Sequence, residues 1–383
     1  MSDLSKLLHG ARDDASFLNK LSLEPGEVES LEAARRDVRT AIRESFNREA
    51  RTRFEVPVSP RFYTQGSFAY RTINRPAHPP SQQKDLDDGV YLPLTFVKEG
   101  TRPSQAAEVY FRFIDEILQA LCRARRWGFD TRPTCARVTI APDAHVDIPL
   151  YAIPDAEFRK LSKALAVAFT EDAAYDFMNA RRSKTDNWDA LPSDQVLLAH
   201  REDDWKVSDP RKIHEWFLAA VERHGEQLRR MSRYLKAWRD EKGDQIGGLS
   251  SICLMACVFE TYEASRGLAS RDDRALLDVA RALPRLLEGP VLNPADRSEV
   301  LCARLSREER QMAITLAGAL ASDVDAALRA GSPQDSITFL RSSLGVRVPN
   351  RPDLVAAESV VATVRREAPR IVPAPVVGRS VSG

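Results

Sequence analysis

Apolar residues recur with a helical spacing over two stretches in the first half of the chain. From Glu27 onward they stand every three or four positions, which predicts a helix of about 20 residues with one buried stripe. The stripe consists of Leu31, Ala34, Val38, Ile42 and Phe46. Residues 105–126 have the same spacing and predict a second helix.

Shorter segments of strand character lie around this second helix. The string RFYTQGSFAYRTIN predicts a short strand followed by a Gly-Ser turn, and DLDDGVYLPLTF alternates as a strand does. Beyond residue 126, CARVTIA and HVDIPLYAI predict two strands joined as a hairpin at Pro142-Asp143. After about residue 155 we find no further strand signal.

The second half of the chain has mainly helical patterns. Asp209 as N-cap and Pro210 at the first helical position predict a long helix, whose stripe runs on to Trp238. Another helix is predicted to begin at Ser250-Ser251. Ser306 and Glu309 have the spacing of a capping box ahead of one more helix.

These elements predict an α+β fold with two lobes, since 383 residues are too many for one small core. An N-terminal segment, residues 1–26, precedes a lobe with a mixed sheet at residues 27–160. Residues 161–209 are polar and irregular and are predicted to form a loop or lid. Loops of that length are usually functional or disordered. A helical lobe follows at residues 210–365, and a flexible tail at 366–383.

Composition narrows the class of protein. Hydrophobic residues make up 43% and charged residues 29%, as in soluble globular proteins. The net charge of +1 makes a long nucleic-acid duplex an unexpected partner. Apolar runs fall short of the ~20 residues that span a bilayer, so we expect a cytoplasmic protein without membrane contact. The five cysteines lack metal-site spacing and are expected to be buried free thiols.

Two aspartates with one apolar residue between them are the first candidate for chemistry. Asp85 and Asp87 flank Leu86, so on a strand both carboxylates point to the same side. Close carboxylates repel each other and are stabilised by cations, and Mg²⁺ prefers such oxygen ligands. Asp147 stands between Val146 and Ile148 and is the candidate third carboxylate of a two-metal site.

A Gly-Ser pair precedes these aspartates. Glycine lets the backbone approach an anion, and the Ser67 hydroxyl adds a donor, so Gly66-Ser67 is a candidate phosphate contact. Each feature alone has an ordinary interpretation, because Asp-x-Asp is common in solvated turns and Gly-Ser in any turn. Their order along the chain favours a nucleotide site.

That order, together with longer strings, resembles a known family. Gly66-Ser67, Asp85-x-Asp87 and a later Asp147 match the pattern of DNA polymerase β-like nucleotidyltransferases. PRFYTQGSFAYRTINRP, DLDDGVYLPL, HVDIPLYAIP, SDPRKI and RYLKAWRDEKGDQIGGLSSICLMA resemble the bacterial cGAS/DncV-like nucleotidyltransferases, and within them the type that makes 3′,3′-cyclic GMP–AMP. The resemblance covers about residues 27–350 and the C-terminal end.

The resemblance implies an enzyme that joins ATP and GTP into a cyclic dinucleotide with release of pyrophosphate, in anti-phage (CBASS) signalling. It implies a cleft between two lobes, with Asp85, Asp87 and Asp147 as ligands of two Mg²⁺ ions, or of Mn²⁺. Ser67 would contact the triphosphate and Tyr70 would stack on a base. The full implied nucleotide pocket is Gln65, Gly66, Ser67, Tyr70, Arg137, Lys236, Ser250 and Ser251.

Two of these residues have alternatives from the pattern alone. Lys236 lies on the buried stripe of its helix and would reach the donor triphosphate; the alternative is a lysine with a buried stem and a solvent-facing amine. Arg137 shares a sheet face with Asp147 if the hairpin connection has an odd number of residues. Its guanidinium then suits a phosphate or a guanine edge; the alternative is an ordinary ion pair.

The resemblance also concerns partners. The tail PRIVPAPVVGRSVSG resembles the C-terminal ends of certain synthases of this family. Ubiquitin-like activating and conjugating enzymes join those synthases to other molecules through their last glycine, which here would be Gly383. The alternative is a frayed terminus. A downstream effector would bind the product, and no nucleic-acid activator is expected.

Other functions have weaker support. An untemplated RNA, tRNA or poly(A)-type nucleotidyltransferase shares the metal triad, but would have a broad basic track. A DNA sensor would need a zinc thumb or a basic spine, and toxin-type protein modifiers are usually shorter. A pseudoenzyme would have lost a triad aspartate. The loop after Gly66-Ser67 and the lid depart from the family pattern, so the identity of the two bases stays open.

Overall fold

The computed structural model describes residues 1–10, 15–54, 58–93, 103–158, 195–203, 205–265 and 270–357. The helices are α1 (Ser5–Leu8), α2 (Phe17–Leu21), α3 (Pro25–Phe54), α4 (Gly66–Ala69), α5 (Pro103–Arg125), α6 (Pro210–His224), α7 (Glu226–Lys242), α8 (Ser251–Ala264), α9 (Asp272–Glu288), α10 (Arg307–Arg329) and α11 (Pro333–Leu344). The strands are β1 (Ser2–Asp3), β2 (Arg61–Gln65), β3 (Lys84–Pro93), β4 (Gly128–Thr131), β5 (Cys135–Ala141), β6 (Ala144–Ile153), β7 (Leu197–Leu198), β8 (Lys206–Val207), β9 (Leu292–Asn293), β10 (Asp296–Val300) and β11 (Ala356–Ala357).

A mixed sheet forms the centre of the first half and confirms the predicted α+β class. Its order is β2-β3-β6-β5-β4, and β7 and β8 extend it beyond β6. Strands β3 and β6 run parallel, while the other pairs are antiparallel. The predicted hairpin of β5 and β6 is confirmed.

Helices α3 and α5 cover one face of this sheet. All five residues of the predicted stripe on α3 are buried, and they pack with Ile114 of α5 and with Leu86 and Val146 of the sheet. Helix α3 is 30 residues long, however, and begins at Pro25, because proline is well suited to a first helical turn. The opposite face of the sheet bears Asp85, Asp87 and Asp147.

A second hydrophobic core lies within the C-terminal helices. The first residues of the chain belong to it, since Leu4, Phe17 and Leu21 are fully buried there. Phe17 stacks on Tyr234 of α7 with ring centroids 5.5 Å apart. Strand β1 pairs with β11, so residues from the two ends of the described chain meet.

The predicted long helix after Asp209 is wrong in one respect, because it is two helices. Asp209 does cap α6 by accepting a hydrogen bond from the Arg211 amide at 3.0 Å. Gly225, with φ 84° and ψ 170°, then separates α6 from α7 in a conformation that is essentially confined to glycine. The capping box of Ser306 and Glu309 at the start of α10 is confirmed.

The expectation of no strand after about residue 155 is also wrong. Strands β7 to β11 follow, but four of them have two residues and are too short to show an alternating pattern. Most of the predicted lid, residues 161–194, and the tail from residue 358 lie outside the described residues. All five cysteines are free and buried, as predicted. No helix among the described residues has both the length and the apolar composition to cross a membrane.

Candidate active site

The predicted carboxylates lie on the sheet face that turns away from α3 and α5. Asp87 of β3 stands directly beside Asp147 of β6, with Gln65 of β2 and Arg137 of β5 on either side of this pair. Asp85 stands two residues before Asp87, opposite His145. The strand alternation therefore brings the three predicted aspartates to one face, as expected.

A β-bulge places Arg137 opposite Asp147. Ala141 pairs with Ala144 across a connection of two residues, which by itself would leave Arg137 and Asp147 out of register. The register shifts between Thr139 and Ala141, so β5 contains one extra residue there. The condition of an odd connection is therefore not met, and the bulge instead brings Arg137 and Asp147 to the same sheet face.

Arg137 and Asp147 form a bidentate ion pair. The Arg137 Nε and Nη2 atoms donate to the two Asp147 carboxylate oxygens, each at 2.7 Å. Both hydrogen bonds hold the carboxylate plane in place. The hydrogen bonding to Asp147 raises the pKa of Arg137. The structure therefore contains the ion pair of the alternative interpretation, with the candidate metal ligand as its acidic partner. A contact of Arg137 with a phosphate or a base stays a prediction.

The Asp87 carboxylate is poorly compensated by nearby positive charge. Burial raises the pKa of Asp87 well above its ordinary value, and the negative charges of Asp85 and Asp147 raise it further. Arg137 is the cation that opposes this shift. Such a cluster favours either protonation or a bound cation.

One residue that the sequence interpretation missed completes a candidate metal centre. Asp85, His145 and Asp147 each offer one ligand atom, and these atoms lie within 4.8 Å of one another. His145 Nε2 is 3.0 Å from Asp85 Oδ1 and 3.9 Å from Asp147 Oδ1. Period-two alternation would have found His145, since it precedes Asp147 by two residues on the same strand.

Two atoms of the Asp85, His145 and Asp147 cluster indicate that the cluster suits a cation. Asp85 Oδ1 and His145 Nε2 are enclosed, and within the described part of the chain neither makes a hydrogen bond. Enclosed polar atoms are normally hydrogen-bonded or bound to an ion. The donor set of two carboxylates and an imidazole therefore fits a divalent cation.

Gly66 fixes where the Asp87 carboxylate lies. Its φ is 70°, and a Cβ atom there would stand 2.0 Å from Asp87 Oδ2. The predicted Gly-Ser turn is in fact the start of the one-turn helix α4, since Gly66 is its first residue. Ser67 is partly exposed beside it, while the Gln65 side-chain amide donates to the Tyr151 hydroxyl at 2.9 Å.

Tyr70 lies at the end of α4 against the helical core. It is 5% exposed, and its ring centroid is 5.3 Å from that of His214 and 6.1 Å from that of Phe217. Burial, followed by the charge of Asp87, raises the pKa of its hydroxyl. Stacking of Tyr70 on a base stays a prediction, because the ring already has these neighbours.

Lys236 is buried, with 5% of its surface exposed, so the solvent-facing alternative is wrong. Its Nζ donates to the Thr72 carbonyl at 2.7 Å. Burial, followed by the positive charge of Arg239, lowers its pKa to about 7. Ser250 caps α8 through the Cys253 amide, and Ser251 Oγ accepts a hydrogen bond from Arg239 at 2.9 Å. Contacts of these three residues with a triphosphate stay predictions.

Helix α7 also holds the segment that follows α4. Arg229 donates to the Tyr70 carbonyl, and Arg233 Nε donates to Asn74 Oδ1 at 2.9 Å. The Asn74 amide returns a hydrogen bond to the Arg233 carbonyl at 2.9 Å. With Lys236 these cations form one face of α7, at helical spacing. The sequence interpretation missed both arginines, although their spacing from Lys236 was visible.

Comparison with known proteins identifies the family. Residues 60–151 match the family described as cyclic GMP-AMP synthase DncV-like, nucleotidyltransferase domain. Residues 225–357 match the cyclic GMP-AMP synthase C-terminal domain. The first match contains most of the sheet, including Asp85, Asp87 and Asp147, and the second contains α7.

Individual relatives agree with these matches. A cyclic GMP-AMP synthase of Escherichia coli is 32% identical over 95% of this chain and 85% of its own length. One from Vibrio cholerae serotype O1 is 32% identical over 88% of this chain and 78% of its own. The structure of Vibrio cholerae DncV cyclic AMP-GMP synthase in complex with the linear intermediate 5′ pppA(3′,5′)pG superposes with a TM-score of 0.76 at 25% identity, covering 94% of this chain and 99% of that one. This chain therefore belongs to the DncV-like family of cyclic GMP-AMP synthases and is a nucleotidyltransferase.

Proposed function

We propose that this enzyme joins ATP and GTP into a cyclic dinucleotide, with 3′,3′-cyclic GMP–AMP as the first choice, and releases pyrophosphate. The observation that carries the proposal is the placement of Asp85, Asp87 and Asp147 on one sheet face, with Gly66-Ser67 against Asp87. The Vibrio cholerae relative bound to 5′ pppA(3′,5′)pG supports the choice of an adenine and a guanine nucleotide.

Divalent metals serve this family in general, and the present site suits them. We propose that Asp85, Asp87 and Asp147 hold two Mg²⁺ ions, with Mn²⁺ as the alternative. When bound, such ions lower the pKa of an attacking hydroxyl and neutralise charge on the triphosphate. The enclosed, unbonded Asp85 Oδ1 supports this assignment.

The chain's own residues supply position and charge. Arg137 orients the Asp147 carboxylate through two hydrogen bonds. Gly66 allows the backbone to lie against Asp87, and Ser67 next to it offers a hydroxyl to a phosphate. We propose that Lys236 adds positive charge from α7, and that Tyr70 contacts a base. One site makes two bonds in turn, so a linear intermediate precedes the ring.

Product analysis tests the proposal. Purified protein is incubated with labelled ATP, GTP, CTP and UTP together with Mg²⁺, and the products are resolved by mass spectrometry over time. We expect a linear triphosphate-bearing dinucleotide at short times and a cyclic purine dinucleotide later. A long linear polymer would favour the untemplated polymerase, and a product built from pyrimidines alone would contradict the proposed substrates.

We further propose a cytoplasmic role in anti-phage signalling, in which an effector binds the product. The support is the family resemblance of the tail, which lies outside the described residues. Ubiquitin-like activating and conjugating enzymes would then join Gly383 to other molecules. Gly383→Glu, expressed beside the native neighbouring genes, should lose high-mass conjugates and phage protection and keep nucleotide turnover. Conjugates that persist in this variant would contradict the role of Gly383.

A further inference from the structure

The His145 imidazole is held in one tautomer by a short chain of hydrogen bonds. The Gln83 side-chain nitrogen donates to the Pro142 carbonyl at 2.9 Å, which leaves its amide oxygen facing His145. That oxygen lies 2.8 Å from His145 Nδ1 and can only accept, so Nδ1 carries the proton. In the neutral ring the lone pair is then on Nε2.

The His145 Nε2 atom points at the Asp85 carboxylate. Nε2 and Asp85 Oδ1 are 3.0 Å apart, His145 is 5% exposed, and among the described residues neither atom has a hydrogen-bond partner. Two enclosed polar atoms at this distance that lack a hydrogen bond are normally bound to a common ion. A cation bound by both atoms would satisfy them, and carboxylate oxygens and imidazole nitrogens are both ligands of divalent ions.

We propose that Asp85, His145 and Asp147 form a mixed nitrogen–oxygen site that prefers Mn²⁺ to Mg²⁺. Imidazole suits transition ions, whereas Mg²⁺ takes oxygen ligands almost exclusively. His145 is thus a ligand in addition to the aspartates, and it gives the site its selectivity. The proposal deepens the proposed function by naming the metal class, but its test does not use catalysis.

Gln83 is a positioning residue in this arrangement. Histidine ligands of metals almost always donate their other N–H to a neighbouring oxygen, and loss of that partner typically costs 10–100-fold in metal affinity. Gln83, two residues before Asp85, provides this oxygen, because its Oε1 accepts from His145 Nδ1. The competing arrangement is an imidazolium whose Nε2–H donates to Asp85, and in that case His145 cannot bind the ion.

Pulsed electron paramagnetic resonance of Mn²⁺ separates the two arrangements. Full-length protein is stripped with a chelator, loaded with Mn²⁺ in the absence of nucleotide, and examined for the hyperfine coupling of a directly bound ¹⁴N. We expect this coupling in the wild type and in His78→Ala, which removes an exposed imidazole away from the cluster. We expect it to be absent in His145→Ala.

Affinities provide the second measurement. His145→Ala should weaken Mn²⁺ binding by roughly 10–100-fold and change Mg²⁺ binding little. Should that variant fail to fold, Gln83→Leu should weaken Mn²⁺ binding by roughly tenfold or more, while Gln83→Glu, which still accepts from Nδ1, should retain it. A wild type that binds no Mn²⁺, or whose Mn²⁺ lacks nitrogen coupling, overturns the proposal. Cyclic product made with Mg²⁺ in that case would leave the proposed function standing.

Discussion

Replacement of Gly66 by alanine tests how closely the proposed phosphate-contact segment and the candidate metal site depend on each other. Gly66 has φ 70°, where a residue with a Cβ atom is strained by roughly 1–2 kcal/mol. The new Cβ would also stand 2.0 Å from Asp87 Oδ2. To reach the 3.4 Å at which ordinary contacts begin, the carboxylate or the backbone must move by about 1.4 Å.

That displacement sets the expected loss of activity. A misplacement of about 1 Å at a reacting centre can lower a rate by 10²-fold. We therefore expect Gly66→Ala to lower kcat by roughly a hundredfold, and the backbone strain to lower the free energy of unfolding by about 1–2 kcal/mol. The rate of pyrophosphate release from ATP and GTP and the urea midpoint of the metal-free protein measure the two effects separately.

Gly225→Ala is the matched control. Gly225 also has a positive φ of 84°, but a Cβ there would meet no atom within 4 Å. It should lose roughly 1–3 kcal/mol of stability from backbone strain alone and keep its activity per folded molecule. If Gly66→Ala retains wild-type kcat while it loses as much stability as Gly225→Ala, the close approach to Asp87 has no catalytic importance and the reasoning fails.

Three further predictions concern the aspartates, the buried lysine and the tyrosine. Asp85→Asn combined with Asp87→Asn should abolish product and keep the fold, and product formed at the wild-type rate with Mg²⁺ would show that the site assignment is wrong. Lys236 has a folded pKa of about 7, below the ordinary ~10.4, so between these values the native state binds fewer protons than the unfolded state. As pH rises above 7, the wild type should therefore gain stability over Lys236→Met, by at most about 1.4 kcal/mol per unit; a difference in urea midpoint that is constant from pH 7 to 9 would contradict this. Tyr70→Ala should raise KM more than it lowers the single-turnover rate, since stacking is worth ~1–3 kcal/mol per base; an unchanged KM with a large loss of rate would make Tyr70 a core residue.

Features that depend on neighbours along the chain could be predicted from the sequence. The stripe of α3, the Asp209 cap and the Ser306–Glu309 capping box are all local patterns, and the structure contains each of them. The break at Gly225 was missed because both helices bury their apolar residues in the same core, so the stripe continues across the glycine. Periodicity reports which residues are buried and is insensitive to such a break.

In the candidate site, too, features within one strand could be predicted from the sequence, whereas contacts between distant segments could not. Alternation along β3 was enough to place Asp85 and Asp87 on one face. The register between strands was not predictable, because the bulge that brings Arg137 opposite Asp147 has no distinctive residue. The link from Gln83 to His145 joins residues 62 positions apart, and no pattern in the sequence indicates it.

The segment of residues 66–74, which begins at the proposed phosphate contact, is attached both to the sheet and to α7. At its start, Gly66 lies against Asp87 of the sheet, and no side chain can stand between them. At its end, the Thr72 carbonyl accepts from Lys236 and Asn74 exchanges hydrogen bonds with Arg233, both on α7. A shift of α7 relative to the sheet must therefore either break buried hydrogen bonds, at about 1–3 kcal/mol for each group left unpaired, or drag the backbone at Gly66 away from the carboxylate. Because both alternatives are costly, the distance between the candidate metal ligands and the proposed phosphate contact depends on the packing of α7 as well as on the sheet.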